Sequence, residues 1–294
     1  MNRPFDPFDL DEDAPYQAWR EAKLSHYPTR IADVVVEVDN PYVLTASERH
    51  AILQCCSKTN FVIYASHNTL PDKAIPRKFG LQFGLKRLDD NMLADDDAIT
   101  SLCVAAEGNQ RGDFIPYTDR AIGWHTDGYY NPVERRVLGM VLHCVMPAAN
   151  GGNSALLDHD IAYLLMRDAN PEFIRAFMAP NAMTIPARRD ENGIARPAET
   201  GPVFSVLNNN RLHMRYTART RSIEWHPDPV TLAAAAFLEQ LLNSDLPYLF
   251  HARLEAGMGL LCNNVLHNRT AFSNDDTHQR LLYRARYYDR IDNT

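Results

Sequence analysis

The chain has 294 residues, 45% of them hydrophobic and 23% charged, which supplies a core for one large domain or two small ones. A net charge of -7 opposes a nucleic-acid-binding surface, and no apolar run approaches the length of a membrane span. The five cysteines are odd in number and lack CxxC spacing, so they read as free thiols in a reducing cytoplasm.

In chain order, residues 1–15 (MNRPFDPFDLDEDAP) are acidic and proline-containing, with no apolar stretch for a signal peptide. They read as a mobile or wrapping tail. PYQAWREAKLSHYP (15–28) reads as a short helix opened by Pro15 and closed before Pro28. Residues 1–30 are therefore expected as a tail and short helix, and 31–294 as a single domain. ADVVVEV (32–38) is β-branched and strand-like. Thr45 and Glu48 form a capping box ahead of a helix, and NFVIYAS (60–66) follows as a strand.

Beyond residue 121 the texture is mostly β. Strands are expected at 137–145, 202–208, 211–217, 258–264 and 280–289, with helices starting near Asp158 and over 231–242. The polar stretch 187–201 reads as a candidate lid, and the arginine-rich 208–221 as a solvated loop or a second lid. The order of elements predicts an α+β chain built around a β-sandwich or barrel.

The candidate chemistry begins at GWHTDGYYNP (123–132). Side chains two apart on a strand share a face, so His125 and Asp127 can reach one ion. Two histidines and one carboxylate on one face of an octahedron commonly hold non-haem Fe(II) and leave three positions open. The later NNVLHNRTAF supplies His267 as the third ligand. Taken alone, an HxD pair is more simply a surface or hydrogen-bonded pair. The strand after His267 adds weight, because alternation puts Arg280, Leu282, Arg284 and Arg286 on one face. Arginines there point to anions, since a guanidinium grips a carboxylate with two parallel hydrogen bonds. Arg286 is more simply paired with an acidic residue. Tyr129 and Tyr130 either line the substrate pocket or belong to the core.

Together, WHTD (124–127), LHNRTAF (266–272) and RLLYR (280–284) resemble the Fe(II)/2-oxoglutarate-dependent dioxygenases of the taurine dioxygenase and γ-butyrobetaine hydroxylase (TauD/TfdA-like) group. HCVMPAANGGNSALLD (143–158) resembles that family's GG-x-[ST] segment, and the likeness runs over about residues 40–290. The resemblance implies a double-stranded β-helix (jelly roll) with flanking helices. It implies Fe(II) on His125, Asp127 and His267, and 2-oxoglutarate held by Arg280 with Ser154. Arg284 is implied as a contact of substrate or of 2-oxoglutarate, and O2 as the oxidant. The implied reaction hydroxylates an unactivated C–H of a small molecule and releases succinate and CO2. The segment DRAIGWHTD lacks the Asn that some members carry ahead of HxD, so no residue is assigned to the keto-acid end.

The second and third arginines on one strand face favour an anionic substrate touching Arg284, with Tyr129 and Tyr130 packed on its carbon skeleton. The rival is a quaternary ammonium held by Tyr129, Tyr130 and Trp124. A third reading is a metal-binding jelly roll without oxygenase activity, which would have no use for a dicarboxylate anchor at Arg280. The expected partners are a small-molecule substrate, no nucleic acid and no membrane. Many relatives are dimers or tetramers, which leaves a homo-oligomer open.

Overall fold

The computed structural model describes residues 6–90, 95, 97–190 and 193–294. Thr45 and Glu48 open helix Ala46–Thr59 as their spacing predicts, with Glu48 N–H on the Thr45 hydroxyl (3.3 Å) and Thr45 N–H on the Glu48 carboxylate (2.6 Å). The helix closes on Asn60 in the left-handed conformation (φ 59), and strand Phe61–Ala65 follows at once.

That strand enters a six-stranded sheet ordered Val35–Glu37, Phe61–Ala65, Met258–Cys262, Gly139–Met146, Leu281–Tyr287, Thr100–Leu102. The first pair is parallel and the others are antiparallel. Val62, Tyr64, Val141, Tyr283, Ala285 and Tyr287 pack on one face with Ile52, Cys56 and Phe79 of two helices. Phe61, Ile63, Met140 and Leu260 point the other way. They share one cluster with Trp124, Leu156, Phe250 and Leu266 of a second, four-stranded sheet. Both faces are covered, which is why FVIY is apolar at every position. Each such burial contributes roughly 1.5–3 kcal/mol.

The four-stranded sheet is ordered Phe250–Ala252, Ser154–Leu157, Leu266–Arg269, Ile122–His125. Helices His159–Ala169, Pro171–Met178 and Pro229–Leu242 add Ile161, Phe177 and Leu238 to the same cluster. Asp158, Asn170 and Asp228 cap these helices through their side chains, and Pro occupies the first turn of the second and third. The architecture is thus mixed α and β, with the interior between two sheets.

Phe8 sets its ring edge-on to Trp19 (5.2 Å) and Tyr163 (5.4 Å), and Arg167 donates to the carbonyls of Pro7 and Asp9 (both 2.9 Å). The N-terminal segment from residue 6 therefore wraps; the part of the expected tail over 1–5 lies outside the described residues. The first helix, Asp13–Leu24, is anchored by Lys23, whose ammonium lies 2.7 Å from both Asp158 and Asp160. His159 stands between those two carboxylates in sequence, and the three could in principle hold an ion. Lys23 already supplies the compensating charge.

Four sequence expectations shift. The first helix opens at Asp13, two residues ahead of Pro15, and ends at Leu24. ADVVVEV is strand only over Val35–Glu37, because Ile31–Val34 forms a 3-10 turn. The polar excursion 187–201 contains a hairpin of Arg188–Asp190 and Gly193–Arg196, although residues 191–192 lie outside the described residues. The start of 208–221 is the turn of a second hairpin, Phe204–Leu207 with Arg211–Met214. Asn209 and Asn210 (φ 61 and 53) take the left-handed conformation in its three-residue loop, which Asn adopts more readily than most residues.

Candidate active site

Strand Leu266–Arg269 lies beside Ile122–His125 in a register that puts His267 directly across from His125. Their rings are 4.2 Å apart between centroids. Each Nδ1 lies 2.9 Å from a carbonyl two residues back, Gly123 for His125 and Val265 for His267. A carbonyl only accepts, so Nδ1 carries the proton and the Nε2 lone pair is left for a ligand. Asp127 follows the strand end, with a carboxylate oxygen 3.7 Å from His125 Nε2. One ligand atom from each of His125, Asp127 and His267 lies within 4.8 Å of the others. Two neutral imidazoles and a carboxylate suit Fe(II), and the buried Asp127 Oδ2 oxygen makes no hydrogen bond although Arg284 Nη1 stands 3.2 Å from it, so the residues present fit that ion.

Burial pulls the His125 imidazole down to about 3, assisted by neighbouring His267. Burial alone would push the Asp127 carboxyl up; the Arg284 and Arg286 guanidiniums more than offset this and hold it well below the usual range. The site is thus built from neutral histidines and an ionised carboxylate.

Two backbone features aim Asp127. Gly128 sits at φ +66, and a Cβ there would come within 2.5 Å of Val137. Asn264 accepts from Asp127 N–H (2.7 Å) and donates to the carbonyls of Asp127 (2.9 Å) and Val137 (2.7 Å). Sequence reasoning passed over Asn264. Its signal was an Asn-Asn pair ending the apolar run MGLLC, and Asn264 adopts the left-handed conformation (φ 52).

Leu282, Arg284 and Arg286 share the inner face of strand Leu281–Tyr287, opposite Tyr283, Ala285 and Tyr287 of the helix-covered cluster, and Arg280 stands just ahead of the strand, which starts one residue later than expected. Arg280 and Ser154 line one small pocket together with Gly151 and Gly152. Gly151 has φ +72 and its Cβ would lie 2.2 Å from the Ala271 carbonyl, so the GG pair permits the close approach of the chain beside Arg280. Arg280 is 7% exposed, its Nη1 has no partner, and its guanidinium rests 5.0 Å from the Phe272 ring centre. Burial lowers its pKa. A buried guanidinium without a carboxylate is costly, and a dicarboxylate would complete it.

Arg284 takes Asp127 as its partner, with Nη1 3.2 Å from each carboxylate oxygen, while its buried Nε has none. Arg286 pairs with Asp89 at 2.5 Å and donates to the Tyr130 hydroxyl (3.0 Å), so its acidic partner is protein. Tyr129 and Tyr130 are half-buried and meet edge to face at 5.2 Å. Arg196 of the first hairpin lies 5.8 Å from the Tyr130 ring centre, and Arg188 lies 4.4 Å from that of Phe114.

The family model for taurine catabolism dioxygenase TauD, TfdA family, matches residues 23–286. A uridine-5'-phosphate dioxygenase of a Streptomyces species is 30% identical over 201 residues, which cover 65% of this chain and 70% of that protein. One of an Amycolatopsis species is 30% identical over 169 residues, covering 56% and 60%. Among solved structures, an asparagine oxygenase in complex with Fe(II), 3-hydroxyasparagine and succinate superposes with a TM-score of 0.59 at 16% identity, covering 94% of this chain and 84% of that one. A taurine dioxygenase from Burkholderia xenovorans gives 0.57 at 18% identity, covering 87% and 86%.

Proposed function

Because this chain belongs to the TauD, TfdA family of dioxygenases, we propose that it oxidises a C–H bond of a small, phosphate-bearing molecule at the site built on His125, Asp127 and His267. The enzyme is a dioxygenase that uses Fe(II), 2-oxoglutarate and O2. In this reading the two sheets form a double-stranded β-helix over residues 31–294, and residues 6–30 strap its outside. No described helix is long and apolar enough to cross a membrane. The five unpaired cysteines support a cytoplasmic setting.

His125, Asp127 and His267 would hold Fe(II), and the bound metal supplies the oxidising power from O2 and 2-oxoglutarate. The protein's own work is placement. Nδ1–H bonds to Gly123 and Val265 fix both imidazoles, and Asn264 fixes the Asp127 backbone. Arg280 anchors the far carboxylate of 2-oxoglutarate, with Ser154 as a second contact. Arg284 keeps Asp127 ionised and oriented, and its free Nε remains for an anionic group of the substrate. Tyr129 and Tyr130 pack on the substrate's carbon skeleton.

The observation that carries this reading is the unpaired, buried Arg280 beside Ser154, close in the fold to a two-histidine, one-carboxylate cluster. A metal-binding jelly roll without oxygenase activity has no need of it. The quaternary-ammonium reading is disfavoured, because guanidiniums of Arg196 and Arg286 already stand 5.8 and 5.9 Å from the Tyr130 ring centre. A cationic substrate there would meet two like charges. The phosphate is drawn from the uridine-5'-phosphate dioxygenases among the relatives. The test is succinate formation by the iron-loaded chain with uridine 5'-phosphate, uridine and taurine. Turnover with the phosphate ester alone is expected. Equal turnover of uridine would refute the anionic substrate, and no 2-oxoglutarate-dependent succinate with any compound or without one would refute the whole reading.

A further inference from the structure

The loop that carries Tyr129 and Tyr130 continues into the wall of a narrow pocket lined by Asn131, Arg136, Ser205, His213 and Arg215. Among the described residues its guanidiniums make no ion pair, although Glu134 attracts Arg136 through space. Arg215 is 8% exposed and spends Nε on the Tyr129 carbonyl (2.7 Å) and Nη2 on the Glu199 carbonyl (2.6 Å). Half-buried Arg136 reaches the Ser205 hydroxyl at 3.4 Å. Burial, with repulsion from Arg136 and Arg196, pulls the Arg215 guanidinium down to about 10. Glu199 also lines the pocket and attracts Arg215 through space, but no ion pair joins it to either guanidinium among the described residues.

His213 gives an independent sign of a missing ligand. It is 6% exposed, lines the same pocket, and is tied on one side to the Val137 backbone, while its Nδ1 has no partner. Buried polar atoms are rarely left so. An oxyanion answers each deficit at once. Its oxygens accept from guanidinium N–H groups and from the Ser205 hydroxyl. A P–OH donates to a neutral Nδ1, or a phosphate oxygen accepts from a protonated one.

We propose that this pocket is an oxyanion site that holds a phosphate group between Arg136 and Arg215, with Ser205 and His213 as further partners. The proposal goes beyond the iron site and does not depend on its chemistry. The anion would stiffen the Tyr129–Asn131 loop, since Arg215 already grips the Tyr129 carbonyl. The phosphate comes either from free inorganic phosphate or from a phosphomonoester substrate reaching over that loop.

The experiment is calorimetric titration of inorganic phosphate into the full chain loaded with Fe(II) and 2-oxoglutarate, without O2 and in phosphate-free buffer. Saturable one-to-one binding is expected, weakened at least about tenfold by Arg136→Gln. Ser205→Asp places a carboxylate against Arg136; it should abolish phosphate binding and raise the Tm in phosphate-free buffer. Absence of saturable binding overturns the proposal, as does equal binding by Arg136→Gln. Uridine 5'-phosphate separates the two sources. Exclusion by saturating phosphate, with Arg136→Gln weakening both ligands, assigns the pocket to the substrate's phosphate. Uridine 5'-phosphate binding that is absent, or unchanged at saturating phosphate, assigns it to a free oxyanion.

Discussion

Arg280→Ala removes a guanidinium that is 7% exposed, has one nitrogen without a partner, and rests on the Phe272 ring rather than on a carboxylate. If that charge anchors 2-oxoglutarate, truncation leaves a buried carboxylate of the ligand unpaired, which costs about 2–5 kcal/mol. The dissociation constant for 2-oxoglutarate should therefore rise about thirtyfold at the low end and several thousandfold at the high end. Thermal stability reports the same number. At a hundredfold excess over the wild-type constant, 2-oxoglutarate contributes about 2.7 kcal/mol to the folded state; a thirtyfold loss leaves below about 1 kcal/mol. Arg280→Lys should recover only part, because an ammonium cannot make the two-pronged contact. The assay is calorimetric titration of the metal-loaded protein without O2, with melting curves at fixed 2-oxoglutarate. Unchanged affinity in both variants would refute the assignment and pass the anchor to Arg284. A ligand-free Tm that collapses in Arg280→Ala would instead make the residue part of the packing around Phe272.

Asp127→Ala should abolish iron retention and succinate formation together, and a metal analysis showing one Fe(II) still bound per chain would remove Asp127 from the ligand set. Asn264→Ala unpairs the buried Asp127 N–H and leaves the Val137 carbonyl with His213 alone, so a loss of about 1–3 kcal/mol in unfolding free energy and weaker iron binding are expected; a normal Tm with normal iron affinity would show that the clamp is dispensable. Burial pulls the His143 and His159 imidazoles down to about 4. Below pH about 6.5 the unfolded chain binds protons that the folded one refuses, so stability should fall as pH drops from about 6.5 to 4. His143→Gln should flatten part of that fall in denaturant titrations, and an unaltered slope would refute the burial argument for this residue.

The local spacing in the chain was enough to read the elements that depend on neighbours alone. The Thr45–Glu48 capping box, the apolar FVIY strand and the arginine face of Leu281–Tyr287 all follow from periods of 3.6 and 2. HxD at a strand end, a distant histidine and a late arginine also made the candidate site legible, because ligand chemistry restricts residue types. What the linear pattern could not state is which strands are neighbours. The cross-strand register of His125 and His267, the clamp of Asn264 on Asp127 and the choice of Asp127 as partner of Arg284 join residues more than a hundred positions apart. The same holds for Arg136, Ser205, His213 and Arg215, which read singly as loop or strand residues and meet only when the hairpins pack. Side-chain spacing along one strand is fixed by covalent geometry, whereas pairing between strands is selected by the burial of whole faces, and that selection exists only in the folded chain.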